Sequence, residues 1–530
     1  MYHSAFIDIR PGDELFAFSD NACACSNNML NVTNFYIRNL MTGLRKSPSE
    51  RTENELKVIE TVNGSIPGIN ASLKEKHDLK VKNIVSCGKY EGEALKKKLS
   101  SVRYLQFEEL TPEKWFPGYN LLDAVFKYTD DKDYRSHHSH VIQHAMQQRC
   151  DDWKGYFESL KSYSSGTEGF TGKPKIPGYK KSGGRSTAVF DKLACSIKHG
   201  RLWFPRVTEK GQDGKEKRIR SSISLSRMPH VTKESFVEAR IVPYYGLYQL
   251  QVITDDGIAE EDILPKKEAV ISPDGTPAGV MTLDPGLTNF ASIADNRGGI
   301  PVVIKGGAVK SRNQWYNKRI AFLKSEQMKG HDPKTYHPGT TKQMKRISRK
   351  RDAFISDTFY KWAHYICRLA CERGISFIIA GHNKGQKQSI SLGKKADQSF
   401  VQVPFDRFRR ILKVTALKYR IGVILQEESY TSKACFGNRD LIPVCGKEGS
   451  DKVSFSGRRI KRGLYLQDDG KVMNADINGS VNIGRKYDER IFPKDKDYSY
   501  LYATVESMDY KDILRESHRY HRIMRELYAG

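Results

Sequence analysis

The stretch GVMTLDPGLTNFASIADNRGGIPVVIKGG, residues 279–307, decides how the rest of the chain is read. Three short apolar runs separated by Pro-Gly and Gly-Gly pairs predict three strands joined by tight turns, an antiparallel meander. Asp284 ends the first run, and Pro285-Gly286 lets its carboxylate project from the sheet edge. Taken alone, Asp-Pro-Gly is a commonplace hairpin turn.

Downstream, two helical segments follow the meander. In the second, Ile355, Phe359, Trp362, Ile366 and Leu369 are spaced 4, 3, 4, 3, with Gly374 as the stop. A strand (SFIIA), a helix opened by Pro404 with Phe405, Phe408 and Leu412 on one face, and a strand (GVIL) complete the series. Strand-strand-strand-helix-strand-helix-strand is the order of a ribonuclease-H-like α/β domain, read over 277–486. Its last strand runs into VILQEESYTSKACF (423–436), where Glu427 and Glu428 stand at the strand end. A third acidic site lies in NADINGSVNIGRK (474–486), where Asp476 opens a helix, a position at which Asp usually serves as an N-cap. Carboxylates converging from separate strands and a helix are what two-Mg²⁺ phosphodiester hydrolysis requires.

Upstream, Phe6–Arg10 alternate as a short strand would, and residues 16–165 read as helical. Met146, Cys150, Trp153 and Phe157 are spaced 4, 3, 4, which makes Cys150 a core residue. His137, His138, His140 and His144 read as a solvated face or as phosphate contacts. A basic Gly/Pro/Lys stretch, GTEGFTGKPKIPGYKKSGG, begins at Gly166. From about 185 to 255 short alternating runs predict antiparallel strands in a small barrel. The main boundary is read near Pro277, and no role is readable for residues 487–530.

Charge narrows the function classes. The 530 residues carry 88 Lys and Arg against 62 Asp and Glu, a formal net charge of +26. Such an excess points to a polyanionic partner, because neutralised phosphates release condensed counterions. It is also clustered: residues 305–351 hold 14 Lys or Arg against Glu326 and Asp332. There Trp315, Tyr316, Ile320 and Leu323 supply an apolar side, and Arg312, Lys318, Arg319 and then Lys342, Lys345, Arg346 and Arg349 are candidate nucleic-acid contacts. No apolar run reaches the ~18 residues of a membrane span, no secretory signal is visible, and nine scattered cysteines suit a reducing cytoplasm. His364, Cys367 and Cys371 share a helix face that already carries an apolar stripe, so metal binding is not expected there.

Taken together, Asp284-Pro-Gly after a first strand, Thr431-Ser432-Lys433 ahead of Cys435, and the D-x-N-x-x-x-N-I from Asp476 to Ile483 resemble the RuvC-type nuclease of the TnpB family. These are transposon-encoded, RNA-guided DNA endonucleases ancestral to type V CRISPR effectors. VKSRNQWYNKRIAFLKS (309–325) resembles the helix between the family's first two RuvC motifs, and IPGYKK resembles the opening of the second part of its β-barrel. The resemblance implies a multidomain α+β chain: a first wedge strand (1–15), a helical recognition insert (16–165), a wedge β-barrel (166–276), a RuvC-like domain (277–486) and a tail (487–530). It implies guide RNA and double-stranded target DNA as partners, two Mg²⁺ ions, a nucleoid-associated cytoplasmic location, and Asp284, Glu428 and Asp476 as the metal-holding acids. The basic cluster would line the guide–target channel.

Two departures stand out. The family's second-motif glutamate is absent, since Gly381, His382 and Asn383 follow the strand. Rearranged relatives, including the Fanzor proteins, carry that acid three residues ahead of the Thr, here Glu428, with Glu427 as second choice. The vacancy also motivates an alternative, a nuclease-dead RNA-guided DNA-binding repressor; a strand transferase or resolvase is a third reading. Secondly, Cys435 matches the first ligand of a zinc ribbon (433–472), but Asn438 stands at its C-x-x-C partner and Cys445 is ten residues on. Two cysteines cannot close a tetrahedral site, so no zinc is expected and the loop must be held by packing.

Overall fold

The computed structural model describes residues 2–167, 170, 172–210, 216–383, 403–444 and 453–528. It comprises two compact units, Met1–Gly257 and Ile258–Gly530. The division falls ahead of Pro277, because residues 270–278 already pack with the second unit: Val270 is buried there and the Ala278 N–H donates to the Val270 carbonyl.

In the first unit, strand β1 (Tyr2–Ile9) pairs antiparallel with a strand near the unit's other end. Between them the chain builds α1 (Phe16–Gly43), α2 (Glu53–Ser86), α3 (Gly92–Ser100), α4 (Gly118–Tyr128) and α5 (Ser139–Ser164). The 4, 3, 4 stripe of α5 is buried as its spacing demands, with Met146, Cys150 and Trp153 fully enclosed. Strands β2 (Ala188–Asp191), β3 (Ser196–Lys198), β4 (Arg201–Lys210), β5 (Glu216–Ser224), β6 (Phe236–Tyr244) and β7 (Leu247–Asp255) form two antiparallel sheets, ordered β1-β7-β6-β2 and β3-β4-β5. Phe190, Phe204, Ile241 and Leu250 from both sheets share one core with Phe18 of α1.

Of the four histidines, His137 is not on a solvated face, while His138, His140 and His144 are half-buried. His137 lies edge-on to Phe18 and Phe190, with both ring nitrogens buried and unpartnered. His140 reaches Asp191 at 2.6 Å. Burial, helped by the charge of His138, lowers His137 from 6.5 to about 4. The folded chain therefore binds this proton less readily than the unfolded chain does, so its stability should fall as pH drops from about 6.5 to 4, by about 3 kcal/mol. Melting temperatures across that window should show a smaller fall for His137→Leu than for wild type.

The second unit contains a six-stranded sheet. Its strands are β8 (Val280–Pro285), β9 (Asn289–Asp295), β10 (Val302–Lys305), β11 (Phe377–Gly381), β12 (Gly422–Gln426) and, after a small antiparallel sheet of β13 (Arg458–Lys461), β14 (Leu464–Leu466) and β15 (Val472–Asn474), β16 (Glu506–Met508). The order is β12-β11-β8-β9-β10-β16. The meander β8-β9-β10 is antiparallel, as its turns predict, while β11 and β12 run parallel to β8. Helices α6 (Glu260–Ile263), α7 (Gly307–Met328), α8 (Lys342–Glu372), α9 (Phe405–Lys418), α10 (Ala475–Tyr487) and α11 (Tyr510–Tyr528) complete the unit.

Both faces of the sheet are covered, which explains runs that are apolar at successive positions. Met281, Leu283, Ile378 and Ala380 share one core with Phe359, Trp362 and Phe408 of α8 and α9. Their neighbours Val280, Phe377 and Ile379 share the other with Ile477, Val481 and Ile483 of α10. Gly374, at φ +64, ends α8 by letting the Ile375 N–H reach back to the Ala370 carbonyl at 2.9 Å.

Residues after Tyr487 are part of this core. Ile491, Phe492 and Leu501 are fully buried on the α10 side, and β16 extends the sheet parallel to β10. Phe492 packs edge-on to Phe436 and Tyr498. Phe492→Ala should cost about 3–5 kcal/mol in denaturant unfolding of the full chain.

Candidate active site

Three parallel neighbours set the site. Because β8, β11 and β12 run side by side in one direction, Asp284, Gly381 and the residues after Gln426 fall along one sheet edge. Helix α10 lies directly against β8, which small residues permit. A Cβ on Gly479 would stand 2.7 Å from the Asp284 Oδ2, and Ser480 exchanges a 3.0 Å hydroxyl bond with Thr282. The first turn of α10 thus comes to the same edge, and it brings Asp476.

Capping is the job of Asn474, whose side chain accepts from the Asp476 and Ile477 N–H groups. Asp476 is left free to act elsewhere. Asn289 donates to its Oδ2 at 2.6 Å and is itself held by Lys305 at 3.0 Å, while Arg459 pairs with Oδ1 at 3.1 Å.

Adjacent glutamates point in different directions. Glu427 pairs with the buried Lys486 at 2.5 Å and accepts from the Ser429 N–H at 2.7 Å. Burial works to raise its carboxyl, but the bonds from Lys486 and Ser429 prevail and hold it below the usual range. Glu428 turns toward β11: a Cβ added to Gly381 would land on its Oε2, far inside contact distance. That oxygen is buried without a hydrogen-bond partner. Burial first, and then the charge of Glu427, push Glu428 up to about 7 against Arg409 and Lys486. Asp284 is held well above the ordinary carboxylate range, by burial first and then by the charges of Glu428 and Asp476. Asp284 therefore feels both other acids, and that crowding of negative charge is what a hard cation would relieve. Gly381 and Gly479 leave the space in which the Glu428 and Asp284 carboxylates sit. Among the described residues, no three His, Cys, Asp or Glu side chains form a ready metal cage.

Sequence reasoning missed Asn289, Lys305, Arg409, Arg459 and Lys486. None carries a local motif, and each is recruited by a contact distant in sequence. Arg409 donates to the Gly381 carbonyl at 3.3 Å from α9. Lys486 also donates to the Ser429 and Pro443 carbonyls, both at 2.7 Å.

Around Cys435, side-chain hydrogen bonds fasten the loop to α10. The Cys435 thiol donates to Gln467 Oε1 at 2.9 Å, and Gln467 donates to Asn478 at 3.1 Å. Asn482 donates to the Thr431 and Ala434 carbonyls, and the buried Arg485 reaches the carbonyls of Cys435 and Asp440. Asn438, at the C-x-x-C partner position, directs its N–H to the Cys435 sulfur at 3.5 Å. Cys445 lies outside the described residues. On α8, Cys367 is buried in the core and His364 meets the Tyr419 hydroxyl at 3.1 Å.

The basic cluster falls on α7 and the first turns of α8. Lys318, Lys342 and Arg346 are exposed, and Lys345 and Arg349 are half-buried. Arg312 stacks on Phe354 at 4.4 Å and Arg319 on Phe322 at 5.0 Å. The expected apolar side is corrected in one respect: Tyr316 faces α8, where it meets Ser348, but Trp315 points to solvent.

No helix among the described residues is long and apolar enough to cross a membrane. None of the curated proteins matches the chain. Among solved structures it is similar to a Cas12f1–sgRNA–target DNA complex, at 13% identity over 82% of this chain and 83% of that one, with a TM-score of 0.40. A CRISPR-Cas12f ternary complex gives 13% identity, 82% of each chain and 0.28. An AacC2c1–sgRNA binary complex gives 12% identity, 82% of this chain, 71% of that one and 0.30. Residues 263–387 match the family model OrfB_IS605, described as a probable transposase, and residues 405–483 match the Cas12f1-like TNB domain. With these two matches in succession across the unit that holds the acidic edge, the chain is TnpB-like and related to the type V CRISPR effectors.

Proposed function

We propose that this chain is an RNA-guided, Mg²⁺-dependent DNA endonuclease with a single RuvC-like active site formed by Asp284, Glu428 and Asp476. The observation that carries this reading is the placement of the Glu428 carboxylate against Gly381. The acid missing from the end of β11 is replaced by one from the end of β12, at the same spot beside Asp284. The sheet order supports an RNase-H-like domain, with an antiparallel β10-β9-β8 meander followed by parallel β11 and β12. The two sheets sharing one core in the first unit support a wedge barrel interrupted by a helical insert.

Asp284, Glu428 and Asp476 would hold the two ions. Mg²⁺ bound there supplies the Lewis acidity that activates water and steadies the leaving oxygen. The protein's contribution is positional. Lys305 holds Asn289, which fixes the Oδ2 of Asp476. Lys486 draws Glu427 away, so Glu428 is left facing the site. Guide pairing would read the target sequence, with the protein reading a short flanking motif and the nucleic-acid backbone.

The test is to sequence the RNA that co-purifies with the chain and to offer the particle a plasmid carrying the matching target. A discrete structured RNA and Mg²⁺-dependent cutting are expected. Binding without cutting would favour the repressor; no bound RNA would favour a transferase or resolvase.

A further inference from the structure

Helix α7 has two unlike faces. Its inner face packs on α8: Asn313 is buried and accepts from Arg351 at 2.7 Å, and Tyr316 meets Ser348. Its outer stripe is Ser311, Trp315, Lys318, Phe322 and Ser325, spaced 4, 3, 4, 3, and every one of the five is exposed. Trp315 and Phe322 are each 49% exposed. Seven residues apart, they stand on the same side of the helix about 10 Å from each other along its axis. Single exposed apolar residues are ordinary. Two large rings on one stripe, each beside a guanidinium, form a patterned surface. Arg312 lies 5.9 Å from the Trp315 ring centroid and Arg319 lies 5.0 Å from that of Phe322.

We infer that Trp315 and Phe322 form a stacking platform for unpaired bases of the bound RNA, with Lys318 and Arg319 on the adjoining phosphates. This inference rests on the RNA-guided reading above. The helix carries Lys310, Arg312, Lys318, Arg319 and Lys324 against Glu326, so its complement is a polyanion. A second copy of this chain would bring the same charge to the contact, which disfavours self-association. Duplex bases are already stacked on one another and offer these rings nothing, whereas unpaired bases present an open π-face. Ser311, Gln314 and Ser325, exposed beside the rings, supply neutral hydroxyl and amide groups able to bond a ribose 2′-hydroxyl. RNA is therefore the better occupant than single-stranded DNA.

Ultraviolet cross-linking of the particle purified with 4-thiouridine-labelled RNA, followed by peptide mapping, tests this directly. Adducts at Trp315 and Phe322 are expected. In Trp315→Ala/Phe322→Ala those adducts should vanish and RNA affinity should drop about 10- to 100-fold at fixed salt. In Lys318→Gln/Arg319→Gln the salt dependence of binding should become shallower. RNA adducts elsewhere but none within 311–325 would overturn the platform while leaving the guided reading intact. So would adducts at these rings from a target DNA strand instead of RNA, or full RNA affinity in the double alanine variant. Absence of any co-purified RNA would overturn both.

Discussion

Asp284→Asn is expected to slow target cutting by at least about 10³-fold while leaving target binding intact, because it removes one of the three acids that would hold the ions. It should also make the metal-free protein more stable. Asp284 is raised by burial and by Glu428 and Asp476, so the folded chain holds its proton more tightly than the unfolded chain. Stability from such a group is fully present below the unfolded value and is lost as pH rises through the folded one. Above the unfolded value the buried acid is a burden, and the amide relieves it. The melting temperature of metal-free Asp284→Asn should therefore exceed that of wild type by a few degrees. Mg²⁺ should raise the wild-type melting temperature more than that of the variant. A less stable Asp284→Asn with normal cutting would mean that the carboxylate merely caps the Pro285-Gly286 turn.

Gly381→Ala is the second large effect. The added methyl would fall on the Glu428 Oε2 and close to Ile483. The carboxylate is the flexible end of a side chain and can give way, so the fold should tolerate the change at a cost of about 1–2 kcal/mol. The acid, however, would be pushed off its place beside Asp284. A displacement of about 1 Å at a reacting centre costs on the order of 10²-fold. Cutting by Gly381→Ala particles should fall by about that factor with RNA content unchanged. In an ordinary strand-end glycine the same substitution would leave the rate alone.

Much of this architecture was written in periodicity. The β8-β9-β10 meander, the α8 stripe ending at Gly374 and the helix behind Pro404 are local patterns, and local patterns survive folding. The role of residues after Tyr487 was not readable, because Phe492 and Leu501 matter only through partners brought near by the sheet. Asp284, Glu428 and Asp476 could be nominated from strand ends and resemblance. The preference for Glu428 over Glu427 rests at that level only on spacing to Thr431; what separates the two in space is the partner on each side, Lys486 for one and the open face of Gly381 for the other. Trp315 was assigned to the inner face because apolar residues normally go there, but the 3.6-residue period places Tyr316 on α8 and Trp315 outside.

One comparison tests the relocated acid most directly: plasmid cutting by Glu428→Gln and Glu427→Gln particles matched for RNA content and target binding. Glu427→Gln should retain activity within about tenfold of wild type, since its carboxylate anchors Lys486 rather than an ion. Glu428→Gln should fall by at least about 10³-fold. Cutting at the wild-type rate by Glu428→Gln, or loss confined to Glu427→Gln, would contradict the assignment.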